Sequence, residues 1–256
     1  KSLKMEAAGQ VAGSVSFNIA VLKEPRGFIK PIQWILSIFA FATAVGVHTD
    51  LKFDFVDSTT NTTVHGSVYI KIEYPFNLES SDPWDITCNT STGIKTQKFT
   101  LLQGPKSAAE FFVFVGVIVF LYCLAALVLY IFFDNIYRRN NIFTIADFIV
   151  SAIIVLLWLI SSSAWAQGVS DVKYYTDLKS CGVFDKMEKF CSHSTIAFQE
   201  TQFPNFASLN VSVIFGFLNM LVWGGNLWFL LKETPWSKTQ SKPATMSGQE
   251  QGNQKI

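Results

Sequence analysis

The chain has 256 residues, of which 50% are hydrophobic and only 15% charged, and its formal net charge is +1. Soluble domains usually carry about 25% charged residues, so this composition argues against one; it is also too apolar for a disordered chain and too neutral for a nucleic-acid binder. The apolar residues fall in uninterrupted blocks, which reads as a membrane protein.

In chain order, residues 1–27 are mixed and only weakly apolar, and read as a cytosolic N-terminal segment rather than a cleavable signal peptide. The first run free of charge and histidine covers residues 31–47. Extended back to Phe28, it predicts a helix over about 28–47, with Lys30 snorkelling to the headgroups. In the loop 48–110, Leu51, Phe53 and Phe55 alternate with Lys52 and Asp54, and Val68, Ile70 and Ile72 with Tyr69, Lys71 and Glu73. Two period-two stretches separated by the polar residues 57–63 predict a β-hairpin, ended by Tyr74-Pro75-Phe76.

Uncharged runs of 23 residues then predict helices over about 111–133 and 148–170. Asp134 and Asp147 bracket the short segment between them, Asp147 facing the positive end of the third helix dipole. The loop 171–200 has no readable structure. A fourth helix is predicted over about 209–231, and the Ser/Thr/Gln/Lys-rich tail 235–256 is predicted to be disordered. A helix of about 20 residues rises about 30 Å, the thickness of the hydrocarbon layer. The expected fold class is therefore an all-α membrane protein, a four-helix bundle over 28–234 with a small luminal hairpin and loop cap.

Four spans put both termini on one side. The termini and the 134–147 segment carry 11 Lys/Arg in 69 residues, against 9 in 93 for the two long loops. The positive-inside rule then places the termini in the cytosol and the long loops outside or in a lumen. Cys88, Cys181 and Cys191 all fall in those loops, and Cys123 lies within the second span. An oxidising compartment would join Cys181 to Cys191, the alternative being two free thiols. Cys88 has no partner in its own loop; it stays free, pairs between chains, or disturbs that simple pairing. Sequons begin at Asn61, Asn89 and Asn210. Asn210 sits at the mouth of the fourth helix, too close to the bilayer; Asn61, beside the hairpin turn, is the expected glycan site, with Asn89 as the alternative.

No Cys/His cluster has zinc spacing, and no phosphate loop or nucleophile elbow is present. The expectation is no enzyme, metal or cofactor. Ser161, Ser162 and Ser163 in the third helix and Asn219, Gly224 and Gly225 in the fourth are expected to pack helices, through hydroxyl or amide bonds and close approach. The four runs contain no ionisable group, as a transporter or channel would usually require. Lys30, Trp34 and Leu36 fit a loose, reversed sterol-contact pattern, although Trp34 is first an ordinary interfacial aromatic.

Three longer motifs carry a resemblance. Lys23-Glu24-Pro25 with Phe28-Ile29-Lys30 and Ile38-Phe39-Ala40-Phe41-Ala42-Thr43 form the first; Trp158 through Ala166 followed by Ser170-Asp171-Val172-Lys173 form the second. Leu209 through Asn219, with Trp228 and Lys232-Glu233-Thr234, form the third. Over residues 17 to 236 the chain resembles the synaptophysin–pantophysin family. Its short tail without Tyr is more like the pantophysin branch than the long Tyr/Gly/Gln-rich tails of synaptophysin-type members. The resemblance implies a MARVEL-type bundle in small transport or secretory vesicles with cytosolic termini. It also implies self-association, a cholesterol-rich bilayer and a synaptobrevin-type SNARE partner, with no nucleic acid. The Cys181–Cys191 pair matches the family. The family's first-loop pair does not, because Val56-Asp57-Ser58 stands where the partner of Cys88 is expected. The readings from other classes are an oligomeric channel or transporter subunit and a junctional adhesion tetraspan.

Overall fold

The structure, a computed structural model, describes residues 25–59, 62–80, 83–90, 93–101, 103–132, 141–191 and 195–233. Asn61, the N-terminal segment before residue 25 and the tail 235–256 lie outside them. Four helices are long and apolar enough to cross a membrane: α1 (Pro25–Val45), α2 (Lys106–Phe132), α3 (Asn141–Thr176) and α5 (Ala207–Glu233). Phe114, Leu121, Leu156, Ile160, Ile214 and Leu221 point outward from the bundle. Hydrocarbon surrounds such helices on the outside and side chains on the inside, so apolar residues suit both faces.

The helices form an up-and-down ring in which α1 packs on α2 and α5, and α3 on α2 and α5. Stacking of Phe39 on Phe215, at 5.3 Å, fixes the α1–α5 register. At the other seam Ser162 and Phe112 lie so close to Gly216 that an added Cβ there would sit 2.5 Å and 2.8 Å from them. This backbone approach is the small-residue contact that brings membrane helices together.

The predicted hairpin is present as β1 (His48–Thr59) and β2 (Thr62–Glu73), paired antiparallel from His48↔Glu73 to Thr59↔Thr62. The loops also hold structure that alternation did not reveal. A second hairpin is made by β3 (Trp84–Thr90) and β4 (Gly93–Phe99). The 171–200 loop folds into helix α4 (Val183–Phe190) and leads into strand β5 (Thr195–Gln202). β5 pairs antiparallel with β1, giving the sheet order β2-β1-β5, so the two loops form one cap. Leu51, Phe53, Ile70 and Ile72 are buried in it. Phe53 meets Trp84 at 6.0 Å and Phe184 at 5.6 Å, and Phe184 stacks on Phe198 at 4.6 Å. Phe55 lies over Gly66, its cross-strand partner, where a side chain would collide with the ring.

Two expectations are corrected here. The disulfide joins Cys88 to Cys191, Cα atoms 5.5 Å apart, and not Cys181 to Cys191. Helix α4 stands between Cys181 and Cys191 and extends about 12 Å, beyond the roughly 7 Å that a disulfide can span. Cys181 is a half-buried free thiol, and burial pushes its pKa up. Helix α3 begins at Asn141 rather than near residue 148, and its 36 residues extend about 54 Å. Asp147 therefore lies within the helix and not at its start.

Candidate functional site

Away from the cap, the centre of the bundle holds a charged node to which all four long helices contribute. Lys30 of α1 and Asp147 of α3 stand on diagonally opposite helices, and their Nζ and Oδ1 atoms are 3.1 Å apart. Lys30 is fully buried and Asp147 nearly so. Tyr122 of α2 donates to Asp147 Oδ1 at 2.5 Å, and Tyr130, two turns further along α2, donates to Oδ2 at 2.6 Å. The Lys30 ammonium also lies 5.2 Å from the Tyr122 ring centroid and 4.9 Å from that of Trp223 on α5. The carboxylate thus receives three donors, and the ammonium has one carboxylate and two aromatic faces. A charge taken into a membrane interior persists when it is paired in this way.

Further buried polar groups stand one turn from node residues. Gln33 follows Lys30 by three positions, Ser151 follows Asp147 by four, and Asn219 and Asn226 flank Trp223. Among the described residues, both polar atoms of Gln33 and of Asn226, the Asn219 carbonyl oxygen and the Ser151 hydroxyl find no hydrogen-bond partner.

Toward the cap the centre becomes aromatic. Phe112 lies 5.8 Å from Trp158 and 5.9 Å from Trp165, and Phe76 of the cap lies 5.5 Å from Trp165. The indole of Trp165 donates to Ser212 at 2.8 Å, tying α3 to α5.

The sequence-derived site residues divide across this architecture. Ser161 and Ser162 are buried, Ser162 at the Gly216 contact; Ser163 faces outward and bonds its own helix at Leu159. Asn219 is buried and donates to Phe215 of its own helix. Gly224 and Gly225 are not packing positions within the chain, since an added Cβ at either would meet nothing within 4 Å. Gly216 is the small residue at the α3–α5 contact instead.

Lys30 is no snorkelling lipid contact, because Asp147 draws it inward. Trp34 is half-buried and stacks on Phe120 at 5.7 Å, and Leu36 is half-buried on the same helix. Asn89 is in β3, opposite Ile94. Asn210, in the first turn of α5, accepts a hydrogen bond from Lys173 at 2.7 Å.

Sequence reasoning missed the node because charged residues served as the boundaries of the runs. Lys30 and Asp147 were counted as flanks, and two flanks from distant segments do not announce that they meet. A signal was available in the polar face formed by Lys30, Gln33 and Ser37, at i, i+3 and i+7, continuous with Ala40 and Ala44.

Bundle, cap and paired charge define a four-span integral membrane domain. The chain belongs to the MARVEL family, whose membrane-associating domain matches residues 21–229.

Proposed function

We propose that this protein is a membrane organiser of transport or secretory vesicles, acting by lateral packing and by binding a synaptobrevin-type SNARE. Its termini face the cytosol, its cap faces the lumen, and it catalyses no reaction. The observation that carries the reading is the contrast between inside and outside. The charges of Lys30 and Asp147 are turned inward and neutralised as an ion pair, while the outer faces of the bundle are largely apolar and open to lipid and to other helices. A protein built in this way works through its surface in the bilayer. MARVEL membership, the charge distribution and the three motifs shared with the synaptophysin–pantophysin family support the reading. The same resemblance favours self-association and a cholesterol-rich bilayer.

The test is capture of intact membranes with an antibody to residues 235–256, followed by probing for synaptobrevin-type SNAREs. Small SNARE-bearing vesicles are the expected catch. Plasma-membrane sheets without SNAREs would favour a junctional role, and capture only after detergent would invert the orientation.

A second reading, a channel or transporter subunit, draws on the buried Lys30–Asp147 pair, since intramembrane charge often marks an ion path. Against it, a path through the bundle would have to pass Phe112, Trp158 and Trp165, all fully buried. Conductance of the purified protein in planar bilayers would decide for the channel; silent bilayers would leave the organiser.

A further inference from the structure

We propose that a crevice at the cap-side ends of α2 and α3 binds the ammonium-bearing headgroup of a membrane phospholipid. The crevice measures about 360 Å³, and its polar lining comes from Gln103, Ser107, Gln167, Asp171 and Tyr175, with Gly168 among the small residues of its wall. That volume falls at the lower end of the range of small-molecule sites, about 300–1,000 Å³.

The charge of the lining selects the ligand. Asp171 contributes a carboxylate, and among the described residues no Lys, Arg or His lines the crevice. Gln167 donates to Asp171 Oδ1 at 2.8 Å, which orients the carboxylate. Among the described residues its other oxygen has no donor and Asp171 forms no salt bridge. Tyr175 donates to Gln103 at 3.4 Å, fixing an aromatic ring beside this acid. A free carboxylate oxygen with an adjacent aromatic ring recognises an ammonium group and repels an anion.

Depth selects the source. The uncharged run of α3 ends at Ser170, so Asp171 and Tyr175 stand at its boundary with water, and Tyr174 packs edge-on against Tyr175 at 5.3 Å. Tyrosines collect at this level of a bilayer, where phospholipid headgroups lie. Gly168 lets α3 close on the start of α2 along one wall of the crevice, where an added Cβ would sit 3.0 Å from Pro105 Cβ and 3.4 Å from Ala108 Cβ. Chain-matched phosphatidylcholine and phosphatidylethanolamine present an ammonium at this depth; phosphatidylglycerol does not.

The experiment is native mass spectrometry of the delipidated full-length protein with each of these three lipids. The expected result is retention of the two amine lipids over phosphatidylglycerol by about tenfold, the size of one charge-assisted contact. Asp171→Asn keeps the shape and the Gln167 bond, and is expected to lose that preference with an unchanged unfolding midpoint. Ala164→Phe, which fills the crevice wall and leaves Asp171 intact, is expected to lose it as well. Equal retention of phosphatidylglycerol, or an Asp171→Asn protein that still prefers amine lipids, would overturn the proposal. Displacement of the lipid by millimolar free ethanolamine would overturn a phospholipid as the occupant.

Discussion

At the scale of single residues, the decisive side chains are those whose environment differs most from their usual one. Lys30 is fully buried and held by a carboxylate and two rings. Removing one partner of such a pair strands the other charge, so Asp147→Ala is expected to destabilise the protein by about 3–5 kcal/mol. The double change Lys30→Met with Asp147→Leu is expected to regain most of that, because neither charge is left in the bilayer. Chemical unfolding in detergent measures both, and equal stability of all three proteins would show that the pair does not hold the bundle.

Glycines give a second contrast. Gly216→Val drives a branched side chain into Ser162 and Phe112 and is expected to cost about 1–3 kcal/mol. Gly225→Ala meets open space and is expected to change stability by no more than about 0.5 kcal/mol. Equal effects at the two positions would contradict the seam described above.

At the scale of elements, the cap depends on one covalent tie and one strand pairing that join segments distant in sequence. Cys88 in β3 and Cys191 at the end of α4 are separated by 103 positions. Loss of either cysteine is expected to remove the disulfide and about 2–5 kcal/mol of stability. Cys181→Ser is expected to leave it intact. Thiol labelling under non-reducing conditions separates these outcomes; a third free thiol in Cys181→Ser would restore the Cys181–Cys191 pairing.

The hairpin β1–β2 was legible because residues buried on one face alternate with exposed ones. β4 was not, because its residues are nearly all exposed and carry no alternation. Asn61 lies between β1 and β2 in sequence, and Asn61→Gln is expected to remove most of the glycosidase-sensitive gel shift. A shift retained in full would move the glycan to Asn89.

At the scale of the whole molecule, the bundle is polarised along its axis, charged and polar away from the cap and aromatic toward it. At the charged end, side chains from all four spans meet around Lys30 and Asp147. For a vesicle organiser that works through its bundle, loss of Asp147 is expected to cost bundle integrity and vesicle delivery together. Membrane fractionation of Asp147→Ala beside the double variant measures this. Normal delivery of the single variant would separate the node from trafficking.

The sequence by itself determined the number of spans, their approximate limits, the first hairpin and the membrane class. These follow from local periodicity and from the free energy of placing apolar side chains in hydrocarbon, both properties of contiguous residues. Only the tertiary structure decided that Cys88 is the partner of Cys191, that β5 completes the sheet of the first loop, and that Lys30 turns inward to Asp147. Each of these joins segments far apart in the chain. Partner choice there depends on which elements the packed bundle and cap bring within a few ångströms, and no local pattern encodes that distance.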